Sequence, residues 1–267
     1  MRVPEVVIIG SGNVATHLLE ALCGADVPCG LWSRNIAGAR NLAWRCREKS
    51  VAVYESLADI PRDSSYYIIA VSDRAVDEVT EALGRVGGII AHTSGSVPLY
   101  RGAEGAGYGV FYPLQTFSAD TPVDITDVPF FIEGTSCDVS DKLASLVRRI
   151  GAVPYFADSE HRARLHLAAV FACNFANSLW GVSQRILAGA GYPLTVLKPL
   201  LEETMRKAMA IGPCQAQTGP AKRGDLNVIN RQMSELSDGP ELNAYRDLTE
   251  LIICQQKMLG TDNKSYE

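Results

Sequence analysis

Short apolar runs alternate with amphipathic segments along residues 1–157, a pattern typical of sheet strands joined by helices. The runs are rich in Val and Ile, as expected of strands that are buried on both faces. The sequence therefore predicts a doubly wound, mostly parallel α/β sheet. Its strands are expected at 6–9, 29–32, 51–54, 66–71, 88–96, from 108, at 129–133 and at 153–156.

Beyond Asp158 this alternation stops and helical periodicity continues to the end of the chain. We therefore predict an α/β domain at 1–157, an all-helical domain at 158–260 and a flexible polar tail at 261–267. The first helix of the second domain, expected to run to Leu187, is apolar on nearly every side at its centre. Such a helix is expected to be buried, either in a domain core or in a dimer interface.

A glycine-rich turn joins the first strand to the first helix. Gly10 suits the tight turn, Gly12 lets a pyrophosphate approach the backbone, and the small Ala15 allows close packing of helix on strand. The N-terminus of the helix then faces the anion. Because this motif lies at the first strand–helix junction, it predicts a dinucleotide-binding Rossmann domain. The pyrophosphate is expected to contact Gly10, Ser11, Gly12, Asn13 and Val14.

The end of the second strand indicates which dinucleotide binds. Ser33, Arg34 and Asn35 follow this strand, at the position where an NAD site usually carries a carboxylate for the ribose hydroxyls. An arginine can pair with a 2′-phosphate and stack on adenine. The alternative is an ordinary surface arginine at a strand end. The position relative to the glycine turn favours NADP, held by Ser33 and Arg34.

Polar residues at the ends of later strands are candidates for the rest of the site. Val71, Ser72 and Ser94 are expected to contact the cofactor, since ligands of open α/β sheets lie at the carboxyl ends of the strands. His92 and Gln115 are candidate substrate residues. For the fifth strand the alternative is that its polar side chains only satisfy the backbone of the turn.

The helical region carries the remaining candidates. On a helical wheel of 3.6 residues per turn, a narrow polar stripe faces either a polar element or a ligand cleft. Its residues are His166, Cys173, Asn177 and Gln184. His166 is the candidate proton donor because histidine exchanges protons near neutral pH. Asn174 would orient the substrate and Asn177 would contact it. Thr218 would bind a substrate carboxylate, unless its loop is an ordinary turn between helices.

Composition excludes several classes of protein. A net charge of −5 gives no basic field for nucleic acid and no polybasic patch for a membrane surface. The seven cysteines include no C-x-x-C pair, which indicates a reducing compartment and a cytoplasmic protein. The four histidines show no metal-ligand spacing, so no metal is expected. We also expect no apolar run as long as a membrane span.

The motifs together resemble one family of Rossmann-like NADP oxidoreductases that have a helical C-terminal domain of unknown function. These proteins are similar to pyrroline-5-carboxylate reductase, deazaflavin-dependent NADP reductases and 3-hydroxyacid dehydrogenases. The resemblance implies an NADP-binding domain, a helical domain used for dimerisation and a substrate cleft between them. It is carried by the glycine turn, Trp32-Ser33-Arg34, His92-Thr-Ser-Gly-Ser, Tyr112-Pro-Leu-Gln-Thr-Phe, His166-Leu-Ala-Ala-Val-Phe-Ala-Cys-Asn174-Phe and Gln217-Thr-Gly-Pro-Ala.

The sequence therefore predicts an NADP(H)-dependent oxidoreductase. It would transfer a hydride to or from a C=O or C=N bond of a small, carboxylated metabolite, with His166 and Asn174 as catalytic residues. The resemblance predicts a homodimer formed through the helical domain. The alternative is an NADP-binding sensor or partner-binding protein without turnover.

Overall fold

The computed structural model describes residues 3–100, 102 and 107–262, without the side chains of 259–262. The chain forms two compact units, which divide between Asn174 and Phe175. The first unit contains the sheet and the second is helical. Both parts of the predicted fold class are therefore confirmed.

The first unit is built on one sheet whose strands have the order β3-β2-β1-β4-β5-β6-β7-β8 in the described part of the chain. Strands β1 to β6 pair in parallel, β7 is antiparallel to β6, and β8 is parallel to β7. The order reverses between β1 and β4, which is where ligands bind in doubly wound sheets. The strands are β1 (Val6–Ile9), β2 (Cys29–Trp32), β3 (Ala52–Tyr54), β4 (Tyr66–Ile69), β5 (Ile89–His92), β6 (Gly107–Pro113), β7 (Pro129–Gly134) and β8 (Val153–Phe156).

Helices cover both faces of this sheet. Because side chains alternate along a strand, Val6 and Ile8 of β1 point into one apolar core, whereas Val7 and Ile9 point into the other. Both cores exclude water from β1 completely, so the glycine turn that follows is held by a rigid strand. The helices of this unit are α1 (Asn13–Gly24), α2 (Ile36–Arg45), α3 (Val76–Leu83), α4 (Cys137–Arg149) and α5 (Ser159–Ala169).

The helical region begins at Ser159, as the sequence indicates, but the compact units divide later along the same helical run. The reason is that α5 is hydrogen-bonded to the sheet and to the turn after β5. The guanidinium of Arg162 donates hydrogen bonds to the carboxylate of Glu133 on β7 and to the Val97 carbonyl. The segment between Asp158 and Asn174 therefore belongs to the sheet unit.

The long helix is interrupted and exposed, which corrects two expectations. Residues Val170–Phe175 form a π-helix between α5 and α6 (Ala176–Gly189). Within 159–189 only Arg162 is buried among the described residues, so burial in a domain core is wrong. The run 159–189 is also long and apolar enough to cross a membrane by length and composition. The expectation that no run approaches that length is therefore wrong.

The second unit consists of short and medium helices. A local signal begins α10 (Leu226–Ser234), where Asp225 caps the helix by accepting a hydrogen bond from the Val228 amide at 3.2 Å. Between helices, Arg185 pairs with Glu241. The last helix reaches residue 262, so it includes the first two residues of the predicted tail 261–267, and the others lie outside the described residues. The helices after α6 are α7 (Lys198–Ile211), α8 (Pro213–Ala216), α9 (Pro220–Arg223), α10 (Leu226–Ser234) and α11 (Pro240–Asp262).

Candidate functional site

The glycine turn allows two strand ends to come together at the point where the strand order reverses. Gly10 has a φ of +129°, which side chains rarely adopt. A Cβ at this position would lie 2.1 Å from the carbonyl oxygen of Ala70, just beyond β4. The glycine is therefore required by the backbone conformation and by the close contact with Ala70.

The N-terminus of α1 is open to an anion. The preceding residue, Gly12, provides no side-chain cap, and the first turn contains no acidic side chain. A Cβ built on Gly12 would have no atom within 4 Å, so the space in front of the turn is empty of protein. Unpaired amides and the helix dipole at such an end favour a bound phosphate.

A cavity of about 370 Å³ lies at this turn. It is lined by nine of the ten predicted cofactor residues, namely Gly10, Ser11, Gly12, Asn13, Val14, Ser33, Arg34, Val71 and Ser72. Its remaining lining residues were not predicted as cofactor contacts, although Trp32 and Thr93 belong to motifs of the family resemblance; they are Trp32, Ala70, Ala75, Val79 and Thr93. The buried Trp32 Nε1 has no hydrogen-bond partner among the described residues.

Beside this cavity, just after β2, the basic side chain of Arg34 is available to bind a ligand. Ser33 Oγ lies 2.9 Å from Ser11 Oγ, and Asn35 caps α2 by accepting from the Gly38 amide at 3.0 Å. Arg34 is exposed and forms no ion pair or hydrogen bond with any described residue. By contrast, Arg40 on α2 pairs with Glu55 at 2.6 Å. Arg34 is thus the guanidinium that can bind a phosphate.

His92 and Ser94 hold the turn after β5. The Ser94 amide donates to His92 Nδ1 at 3.2 Å, so His92 Nε2 carries the proton and donates to the Pro98 carbonyl, also at 3.2 Å. Ser94 Oγ accepts from the amides of Ser96 and Val97. Both polar groups therefore satisfy the turn, and it is Thr93 between them that lines the cavity.

Burial gives His92 a fixed charge state. The side chain is 3% exposed, and desolvation, with a smaller contribution from the Arg162 charge, lowers the pKa of His92 to about 4. The imidazole is therefore neutral at physiological pH. A neutral ring agrees with the hydrogen bond that His92 Nδ1 accepts from the Ser94 amide. The predicted substrate contact of His92 is replaced by a role within the protein.

A pair that the sequence did not predict joins β6 to α5. Tyr112, at the end of β6, has its hydroxyl 3.1 Å from His166 Nδ1 on α5. The two rings meet edge-on, with centroids 6.1 Å apart. The predicted proton donor His166 therefore has a phenol as its immediate neighbour. Two sequence signals could have found Tyr112: its position at a strand end and its place in the motif Tyr112-Pro-Leu-Gln-Thr-Phe.

The loop after β6 is tethered to α1. Asn13 Nδ2 donates to the Phe117 carbonyl at 3.0 Å, and His17 stacks on the Phe117 ring with centroids 4.7 Å apart. Gln115 is exposed in this loop, where its Oε1 accepts from the Thr116 amide at 2.7 Å. Gln115 therefore shapes its own turn, and its predicted substrate contact stays a prediction.

The second predicted catalytic residue, Asn174, and the other predicted substrate residues lie on the helical run and in the helical unit. Asn174 is exposed in the π-helix, and Asn177 is exposed in the first turn of α6. Because a π-helix has more residues per turn than an α-helix, the polar stripe drawn at a uniform 3.6 residues per turn does not continue across 170–175. Thr218 is exposed between α8 and α9. Their substrate roles stay predictions.

These features define the chain as a Rossmann-type dinucleotide-binding protein, and comparisons with known proteins identify its family. A domain of unknown function, DUF2520, matches residues 128–252. The structure is similar to that of BF3122 from Bacteroides fragilis, a candidate NADP oxidoreductase, at 36% identity and a TM-score of 0.85, covering 94% of this chain and 98% of that one. The chain therefore belongs to this family of Rossmann-fold NADP oxidoreductases.

More distant structures share the fold. An imine reductase from Myxococcus stipitatus, solved with NADP⁺, is 14% identical with a TM-score of 0.62 over 97% of this chain and 95% of its own. A reductive aminase from Aspergillus terreus, solved with NADPH and ethyl-5-oxohexanoate, is 16% identical with a TM-score of 0.61, covering 99% of this chain and 95% of its own. No curated protein matched the sequence.

Proposed function

We propose that this protein is an NADP(H)-dependent oxidoreductase. The observation that carries the proposal is the cavity at the glycine turn, where an uncapped helix N-terminus and the unpaired Arg34 lie together. Gly10, Gly12 and the first amides of α1 would hold the pyrophosphate, while Ser33 and Arg34 would hold the 2′-phosphate. When bound, NADPH supplies the hydride and the protein supplies orientation and a proton.

The substrate we propose is a small metabolite with a C=O or C=N bond, in which a carboxylate is expected. His166 would be the source of the proton and Asn174 would orient the reacting oxygen or nitrogen. Asn177 and Thr218 would complete recognition, Thr218 by binding the carboxylate. The fold shared with an imine reductase and a reductive aminase supports testing both bond types.

The cofactor part is tested by titrating the protein with NADPH and, separately, with NADH, followed by nucleotide fluorescence. The expected preference for NADPH is tenfold or more, which is about 1.4 kcal/mol. Arg34→Ala should abolish the preference. Arg40→Ala is the matched control, because Arg40 is exposed on the neighbouring helix but is already paired with Glu55.

Reduction is then tested by NADPH oxidation with a panel of keto acids and cyclic imines. Turnover of any member supports the oxidoreductase. Tight NADPH binding without turnover of any member would favour a non-catalytic NADP sensor. Binding of neither nucleotide would overturn the proposal, because the glycine turn would then be a scaffold only.

We also propose that the protein is a homodimer formed through its helical unit. Monomeric proteins rarely expose large apolar side chains in such density. The exposed apolar residues that support the proposal include Ile186, Tyr192, Leu200, Met205, Met209 and Leu226.

Sedimentation equilibrium tests the dimer. Ile186→Glu places a charge on this surface and should produce a monomer, whereas Gln184→Glu adds the same charge at an exposed polar position two residues away and should not. A wild-type monomer in solution would contradict the proposal. If that monomer also bound neutral phospholipid vesicles, the apolar run 159–189 would instead be a membrane contact.

A further inference from the structure

Tyr112 and His166 form a pair whose position is fixed from both sides. Tyr112 is held by β6, which pairs with β5 through His92 and Val110, and His166 is held by α5 one turn beyond the buried Arg162. Both rings contact Gly95. A Cβ on Gly95 would lie 2.6 Å from Tyr112 Cζ and 2.8 Å from His166 Nδ1.

Thr93 lines the nucleotide cavity, whereas Tyr112 and His166 are not among its lining residues. Gly95 is only two residues beyond Thr93, so the chain that contributes to the cavity also supports both rings. The carboxyl ends of β4 and β5 are where the reactive part of a dinucleotide lies in sheets of this topology. A proton donor at the Tyr112–His166 pair would therefore be beside the reacting atoms.

The two side chains differ in access to water. Tyr112 is 8% exposed, and burial raises the pKa of its phenol above the ordinary value. Tyr112 is therefore a neutral hydroxyl at physiological pH, and it would lose its proton readily only if another were supplied at once. His166 is half-buried, and its Nε2 has no hydrogen-bond partner in the part of the chain that the structure describes.

We propose that Tyr112 is the catalytic residue that gives the proton to the substrate, and that His166 is a positioning residue that replaces this proton through Nδ1. The inference rests on the proposed function, whose proton source is His166. It assigns the contact with the substrate to Tyr112, because the Tyr112 hydroxyl occupies the Nδ1 side of the imidazole.

In the direction of reduction, the substrate receives hydride and proton from different groups. The carbon of the C=O or C=N bond receives hydride from the dihydronicotinamide, and the π electron pair moves to oxygen or nitrogen. That atom takes the proton of Tyr112 Oη, while Tyr112 Oη takes the proton of His166 Nδ1 and His166 Nε2 takes a proton from a hydronium ion. Tyr112 ends as it began, and His166 stays neutral with its proton now on Nε2. Once the product has left, proton exchange with water returns the proton to Nδ1.

The test uses the full chain and the variant Tyr112→Phe, which keeps the ring on Gly95 and removes the hydroxyl. Tyr108→Phe is the matched control. Tyr108 is nearly as buried and lies on the same face of β6, about 13 Å along the strand. Fluorescence titration should give the same NADPH affinity for both variants and the wild type.

Carbon-13 NMR of protein labelled at histidine Cε1 supplies a readout that needs no substrate. His166→Asn identifies the His166 signal among the four histidines. Replacing NADPH by NADP⁺ should move this signal, because the oxidised ring adds a positive charge nearby. Tyr112→Phe should move the signal in the free protein, and Tyr108→Phe should not. Equal His166 signals in the two nucleotide complexes would overturn the proposal.

Turnover supplies the second readout, with 2-methyl-1-pyrroline and pyruvate as probes. On any probe that the wild type reduces, Tyr112→Phe should lower kcat by a hundredfold or more. His166→Asn should also lower kcat on that probe, while the NADPH affinity stays that of the wild type. Wild-type kcat in Tyr112→Phe would overturn the relay. Failure to bind either nucleotide would overturn the proposed function itself, so the two failures are distinguishable.

Discussion

Arg162 of α5 forms a buried ion pair with Glu133 of β7 and also donates a hydrogen bond to the Val97 carbonyl. Its side chain is 1% exposed and that of Glu133 is 13% exposed. One guanidinium thus joins a strand, the turn after β5 and the helix that carries His166. This contact explains why the first part of the helical run belongs to the sheet unit.

We predict that Arg162→Ala destabilises the sheet unit by about 3–5 kcal/mol, because it leaves a carboxylate buried without its partner. Urea unfolding followed by circular dichroism measures the change. Arg164→Ala is the control: Arg164 lies on the same helix but pairs with Glu160 at the surface. That pair should contribute no more than about 1 kcal/mol. Equal losses in the two variants would contradict the role of burial.

Stability should fall in mildly acidic solution because of His92. The unfolded chain takes up a proton at this residue near pH 6.5, whereas the pKa of about 4 keeps the folded side chain neutral. The contribution of neutral His92 to the free energy of unfolding is therefore complete above pH 6.5 and decreases as the pH falls towards 4. The difference between the two pKa values corresponds to about 3 kcal/mol in the free energy of unfolding.

The variant His92→Asn tests this pH dependence. The asparagine carbonyl can accept from the Ser94 amide, as Nδ1 does, but it does not titrate in this range. The free energy of unfolding of the variant should change less than that of the wild type between pH 7 and 4.5. Parallel curves for the two proteins would show that His92 is not the source.

The two glycines of the turn should respond differently to alanine. Gly12→Ala should leave the melting temperature unchanged and weaken NADPH binding at least tenfold, since its Cβ meets no protein atom but fills the space in front of α1. Gly10→Ala should lower the melting temperature as well, because of its positive φ and the contact with Ala70. Differential scanning fluorimetry and nucleotide titration separate the effects. Normal NADPH affinity in Gly12→Ala would contradict the assigned cavity.

Gly95→Ala should separate nucleotide binding from proton transfer. The added methyl group must displace the rings of Tyr112 and His166, whereas the glycine turn is untouched. NADPH affinity should stay within a few-fold of the wild type, and the His166 NMR signal should lose its response to NADP⁺. A retained response would show that the pair does not depend on contact with Gly95.

The sequence by itself determined the sheet, because the period of apolar residues and the turn signals are local. It also determined most of the cofactor cavity, since the glycine motif and Arg34 depend on residues near one another in the chain. Even the cap by Asp225 follows from neighbouring residues. Each of these features has a signal that lies within one element or at the junction of two consecutive elements.

Only the tertiary structure decided which polar residues meet. Tyr112 and His166 are 54 residues apart, and Arg162 reaches Glu133 across 29, distances at which no periodic pattern applies. The structure likewise satisfied His92 internally. The polar stripe drawn at a uniform 3.6 residues per turn does not continue across the helix, because the π-helix changes the phase of the residues that follow it. Local patterns specify elements, whereas the pairing of distant side chains depends on how those elements pack.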